Sequence, residues 1–172
     1  MEKYYLQTVG MPVVSSQGER LGRIGNVIIN PDSGKVAGFF LAPSNKKVIA
    51  AIDVLSWTDY IKIGDEQDIV ETDEIIQINN ILEQNILVFR NKVYTKDGDY
   101  IGVVIDIGFD NKFFSLTCLV VAKGFLGIVF WDKKIIAAQD ILEIKKNKII
   151  IKNLVKPVKM RKLRVDMAPA PQ

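Results

Sequence analysis

Apolar residues in this chain fall in short, β-rich runs separated by clusters of glycine and polar turn residues. Val13-Val14 leads into Ser16-Gln17-Gly18-Glu19, and Val93-Tyr94 leads into Lys96-Asp97-Gly98-Asp99. Asp-Gly is a strong hairpin signal, because glycine accepts positive φ without a Cβ clash. Leu21 to Ile29 and Ile101 to Phe109 follow, rich in Val and Ile, with Gly22 and Gly102 near their starts where a bulge or sharp bend fits. After the turn Asn30-Pro31-Asp32-Ser33-Gly34 comes Val36 to Leu41, whose later counterpart is Leu116 to Val121. Ile49 to Ile52 and Ile136 to Gln139 each run into a turn at an aspartate, Asp53 or Asp140, and Tyr60 to Ile63 and Ile149 to Ile151 close the two series. Five or six short strands with tight turns and no long helix predict a small, strongly coiled sheet or barrel, made twice.

The repetition is specific. Gly18-Glu19-Arg20-Leu21-Gly22 matches Gly98-Asp99-Tyr100-Ile101-Gly102 at an offset of 80 residues, and Ile49-Ala50-Ala51-Ile52-Asp53-Val54-Leu55 matches Ile136-Ala137-Ala138-Gln139-Asp140-Ile141-Leu142 at 87. The second copy therefore carries seven extra residues between its third and fourth runs. Between the copies, Thr72-Asp73-Glu74 reads as a helix start, and Ile75, Ile78 and Leu82 recur at helical spacing. With 172 residues shared between two units, each is near the lower size limit for burying a core, at roughly 60% of its unfolded surface, so the halves are expected to lean on one another.

These motifs resemble the PRC-barrel family, which takes its name from the cytoplasmic domain of the photosynthetic reaction-centre H subunit and includes the C-terminal domain of the ribosome-maturation factor RimM. The likeness rests on Val14 to Gly22 with Val27, on Val93 to Gly102 with Asp106, and on the late segments ending at Asp53 and Asp140. It implies a mainly all-β protein of two tandem small PRC-type β-barrels joined by a short helix or linker. The divisions are residues 6–72 for the first repeat, 73–85 for the linker, 86–155 for the second repeat and 156–172 for a basic, proline-containing tail. It also implies a cytoplasmic, bacterial docking module rather than a catalyst. The chain departs from the H subunit in showing no transmembrane run and from RimM in showing no separate N-terminal domain.

Composition narrows the chemistry. The chain has no histidine, which excludes Ser-His-Asp and Cys-His nucleophilic systems and Cys/His zinc sites. Its one cysteine, Cys118, lies in an apolar run and is expected to be a buried, inert thiol. No signal peptide is visible, and the longest charge-free apolar run, Phe113 to Ala122, is far short of a membrane span. No enzyme activity, cofactor or metal is expected. Gly18, Gly22 and Gly25 lack the Gly-Lys-Ser/Thr of a phosphate loop and are read as turn and bulge positions. Asp53 and Asp140 are read as turn-capping carboxylates.

Two features point to partners. The insertion Lys123-Gly124-Phe125-Leu126-Gly127-Ile128-Val129-Phe130-Trp131-Asp132 either closes one end of the second barrel or seals the interface with the first, or it exposes an aromatic patch. In the patch reading Phe125, Leu126, Phe130 and Trp131 form the partner-binding surface, with Phe130 and Trp131 as anchors. The charge is also polarised: Ile141 to Val165 holds nine cations against one anion, whereas Asp53 to Glu74 holds eight acids against Lys62. In the tail, Lys156, Lys159, Arg161, Lys162 and Arg164 are candidates for binding an anion such as RNA, an acidic protein or a membrane surface. A solvated tail is the plainer reading. No aromatic residue is interleaved for base stacking, so RNA binding there is expected to be weak and salt-sensitive. The leading expectation is a non-catalytic protein-binding adaptor, and the alternative is an RNA- or ribosome-associated factor.

Overall fold

The structure is a computed structural model that describes residues 1–125 and 129–153, with residue 125 and residues 129–132 described by their backbone alone. It is mainly β and contains two seven-stranded sheets. The first is built from β2 (Pro12–Val14), β3 (Arg20–Ile29), β4 (Val36–Ala42), β5 (Lys47–Ala50), β6 (Ser56–Trp57), β7 (Ile61–Lys62) and β8 (Ile69–Glu71), in the order β6-β7-β2-β3-β4-β5-β8. The second uses β9 (Lys92–Thr95), β10 (Tyr100–Asp110), β11 (Ser115–Phe125), β12 (Val129–Ala137), β13 (Ile141–Lys145) and β14 (Lys148–Ile151), in the order β12-β11-β10-β9-β14-β13. Setting aside β8, the two orders are the same, including one parallel contact in each, β2 with β7 and β9 with β14.

The seventh strand of the second sheet comes from the other end of the chain. β1 (Glu2–Tyr4) pairs antiparallel with β10, placing Tyr4 opposite Gly108 and Glu2 opposite Asp110. A single-turn helix α1 (Tyr5–Thr8) then carries the chain across to the first sheet.

Both long hairpins are bulged at the same places. The register slips between Ile24 and Asn26 and between Val104 and Asp106, and again between Ile28 and Ile29 and between Gly108 and Phe109. A bulge adds a residue to one strand and tightens its twist, so a bulged pair coils instead of lying flat. Near the end of β3 both faces of the strand are covered: Val27 and Ile29 lie in the main apolar cluster and Ile28 in a smaller one on the other side, so three successive residues are buried.

The inner faces of the two sheets meet in one continuous apolar interior. Val13, Ile24, Phe39, Ile49, Trp57 and Ile61 from the first half pack in the same cluster as Val93, Val104, Ile107, Phe109, Leu119 and Ile149 from the second. Trp57 lies at the centre, with its ring edge-on to Phe39 at 5.0 Å and close to Phe109 at 5.7 Å and Phe114 at 5.5 Å. The segment between the halves forms a short 3-10 turn over Thr72–Glu74 and the helix α2 (Ile76–Glu83). Ile78 and Ile81 on α2 pack in a second, smaller cluster with Ile28, Val48 and Ala50.

Candidate functional site: the hairpin tip and the junction between the halves

The seven extra residues of the second copy lengthen a hairpin. β4 and β5 pair over only three positions, Gly38 to Phe40, whereas β11 and β12 stay paired as far as Gly124 with Phe130 and Phe125 with Val129. Leu126 and the side chains of Phe125, Phe130 and Trp131 lie outside the described residues, as do Lys156, Lys159, Arg161, Lys162 and Arg164 of the tail. The described part of the same hairpin carries an exposed apolar side chain, Ile135, at 71% exposure. A lone exposed isoleucine is ordinary on a protein surface, and Asp132, Lys133 and Lys134 separate this one from the apolar sequence of the insertion.

The junction has an approximate two-fold arrangement at the 80-residue offset. Val36 N–H donates to the Phe114 carbonyl at 2.8 Å, and Leu116 N–H donates to the Gly34 carbonyl at 2.8 Å, on either side of a bridge between Lys35 and Ser115. Gly34 and Phe114 both have positive φ, +67° and +49°. The preceding turns are matched as well: Asn30 Oδ1 accepts the N–H groups of Asp32 and Ser33, and Asp110 Oδ1 accepts those of Lys112 and Phe113. The Phe113 and Lys112 amides hold the Asp110 carboxyl below the usual carboxylate range.

α1 sits at this junction and is held from both sides. Tyr5 Oη donates to Asn26 Oδ1 at 2.9 Å, while the Leu6 N–H donates to Asp106 Oδ1 at 3.1 Å. The Tyr5 ring stacks on Phe89 at 4.5 Å, and burial raises its phenol above the ordinary tyrosine value. Behind Tyr5 is a cavity of about 290 Å³, walled by β3, α2 and the segment Asn85 to Arg90. None of these residues stands out in the sequence, because the cavity draws on segments far apart along the chain.

The repeated aspartates do not cap backbone amides as expected. Asp53 and Asp140 each end a single-turn 3-10 helix, and the capping positions, Ala50 and Ala137, make no side-chain cap. Asp140 instead accepts Lys152 Nζ at 3.3 Å, and burial, with Asp68 as a lesser cause, raises the Asp53 carboxyl. Capping falls to acids of the intervening run. Asp65 accepts Gln67 N–H at 2.7 Å, Asp68 accepts Gly64 N–H at 2.7 Å, and Glu74 accepts Glu71 N–H at 2.9 Å. Part of the acidic stretch is therefore turn chemistry. Among the described residues no group of three or more acidic or cysteine side chains is placed to hold a metal ion, and no helix is long and apolar enough to cross a membrane.

Cys118 is buried on β11, where desolvation raises its thiol, the opposite of the activation a nucleophilic cysteine requires. Gly22 and Gly102 lie beside bulges in the β2–β3 and β9–β10 pairs, as the sequence predicts.

No curated protein matches the chain. Residues 1–77, which hold the whole first sheet and the first residues of α2, match the family model of the PRC-barrel domain. Over these residues the chain is similar to the PRC-barrel domain family.

Proposed function

We propose that the chain is a tandem of two PRC-type modules acting as a non-catalytic, cytoplasmic adaptor that docks a protein partner on the β11–β12 hairpin. The common strand order and the bulges shared at one offset support a duplicated module. The observation that carries the docking reading is the lengthened hairpin. It departs from the first half by adding residues of apolar sequence to the hairpin, whose β12 also carries exposed Ile135. A rigid core that positions a variable loop is a common way to build a binding surface.

A photo-crosslinking residue placed at Ile135, and separately at Asp73 near β8, tests this in cells. Support is one protein recovered repeatedly from position 135, not from position 73, and lost when residues 124–130 are shortened to a tight turn. Recovery of RNA instead, abolished by removing residues 155–172, would transfer the function to the basic tail. Equal labelling from both positions removes the hairpin as the docking site.

A further inference from the structure

The two halves differ at one edge of their longest strands, and the difference leaves a cavity. On β10, residues 108–110 are covered by β1. The positions 80 residues earlier, 28–30 at the end of β3, pair with no strand on that side among the described residues. The chain segment that corresponds to β1 is 82–84, which begins at the end of helix α2 and supplies no strand there. The space that β1 fills in one half is thus left partly open in the other, as the cavity of about 290 Å³ behind Tyr5.

Its walls are largely hydrocarbon, from Val27, Phe40, Ile81, Ile86 and Val88. The polar groups are few: Asn26 and the Tyr5 hydroxyl, which are bonded to each other, the side chain of Asn85, and Arg90. Among the described residues Arg90 is the only ionised side chain in the lining. Its guanidinium lies 5.3 Å from the centre of the Phe89 ring, which in turn stacks on Tyr5.

The backbone at Arg90 is informative. Its φ is +68°, and its N–H donates to the Val104 carbonyl at 3.0 Å. The matching residue in the first half is Gly10, with φ +89° and its N–H on the Ile24 carbonyl at 2.7 Å. The fold demands a left-handed residue at both places, for which glycine is the easy solution. Arginine at position 90 therefore carries conformational strain in exchange for a side chain, and strain of this kind gathers at binding sites.

We infer that the cavity between β3, α2 and Arg90 binds a small organic monocarboxylate with a hydrocarbon body, its carboxylate on the Arg90 guanidinium and its chain against Ile81, Ile86 and Val88. The volume suits a ligand at the small end of those that proteins enclose, and one cation with no anion among the described residues of the wall selects negative charge.

The probes are octanoate, neutral octanamide and cationic octylamine, titrated into the full chain by calorimetry and by methyl NMR at monomeric ligand concentrations. Octanoate is expected to bind with saturation, to shift the methyl signals of Ile81, Ile86 and Val88, and to bind about tenfold more tightly than octanamide. Arg90→Met is expected to remove that preference. Leu82→Trp, which fills the cavity from the α2 side, is expected to abolish both. Equal affinity for octanoate, octanamide and octylamine would overturn the assignment. So would octanoate shifts confined to exposed Ile52 and Ile135, or no saturable binding at all. The wild-type methyl map decides the matter even if Leu82→Trp fails to fold.

Discussion

Asn26 and Asp106 occupy the same bulge in the two sheets, 80 residues apart, and each directs a side-chain oxygen at α1. Asn26 Oδ1 takes the Tyr5 hydroxyl and the Val27 N–H, and Asp106 Oδ1 takes the Leu6 and Ile107 N–H groups. A single helical turn is thereby fastened to both halves by matching residues. Asp106→Ala is expected to cost about 1 kcal/mol or more in urea unfolding, because two backbone donors lose their acceptor. Asp106→Asn, which copies the first half, is expected to recover most of that loss.

Trp57 is 2% exposed and touches aromatic rings from both halves, so its loss should be felt by the whole molecule. Trp57→Ala is expected to cost about 3–5 kcal/mol. Its indole N–H has no hydrogen-bond partner in the described protein, so Trp57→Phe forfeits no polar contact and should cost clearly less. Denaturant unfolding of the two variants checks both the size and the order.

Gly22 and Gly102 are equivalent in sequence and unequal in space. Gly102 has φ +149°, and a Cβ there would meet the Ala122 backbone carbonyl, whereas a Cβ on Gly22 would meet only the Leu41 side chain at 3.2 Å. Gly102→Ala is therefore expected to destabilise by more than about 1 kcal/mol, and Gly22→Ala by less, since a leucine rotamer yields more readily than a ladder. Thermal unfolding of the pair distinguishes the positions.

Acid sensitivity has an identifiable contributor. Backbone donors lower the Asp110 carboxyl in the folded state, so its stabilisation is present above the unfolded value and lost as pH falls through the folded one. Asp110→Asn reproduces the turn of Asn30 without a titrating group. Its stability should decline less steeply than that of the wild type below about pH 4, in unfolding titrations at matched ionic strength. Parallel acid limbs for the two proteins would remove Asp110 as a source of the pH dependence.

Much of this fold was legible because its signals are local. The Gly-x-x-x-Gly turns, the β-branched runs and their 80-residue recurrence all lie within short windows of sequence, and each of the ten strand runs they predict overlaps an observed strand, although Ile49 to Ile52 and Ile136 to Gln139 run on into the 3-10 turns at Ala51–Asp53 and Ala138–Asp140. β1 and α1 were missed because Glu2–Tyr4 and Tyr5–Thr8 are too short to show a period, and β1 is a strand only through its pairing with β10. Trp57 sits among Ser56, Thr58 and Asp59, with no apolar pattern around it; its burial is supplied by Phe109 and Phe114 from the other half. Asp53 and Asp140 were misread because an acid at a turn looks like a cap, whereas the pair formed by Asp140 and Lys152 depends on a later strand. The cavity could not be read at all, since it arises from a strand present in one half and missing from the other.

The central claim is that two sheets of common design share one interior and behave as one cooperative body. Native-state hydrogen exchange on the full chain tests it directly, through the ladder amides of β3–β4 and of β10–β11 under increasing denaturant. One interior predicts that both sets converge on a single opening free energy and a single denaturant dependence. Exchange of one hairpin through an opening that leaves the other protected would contradict the claim.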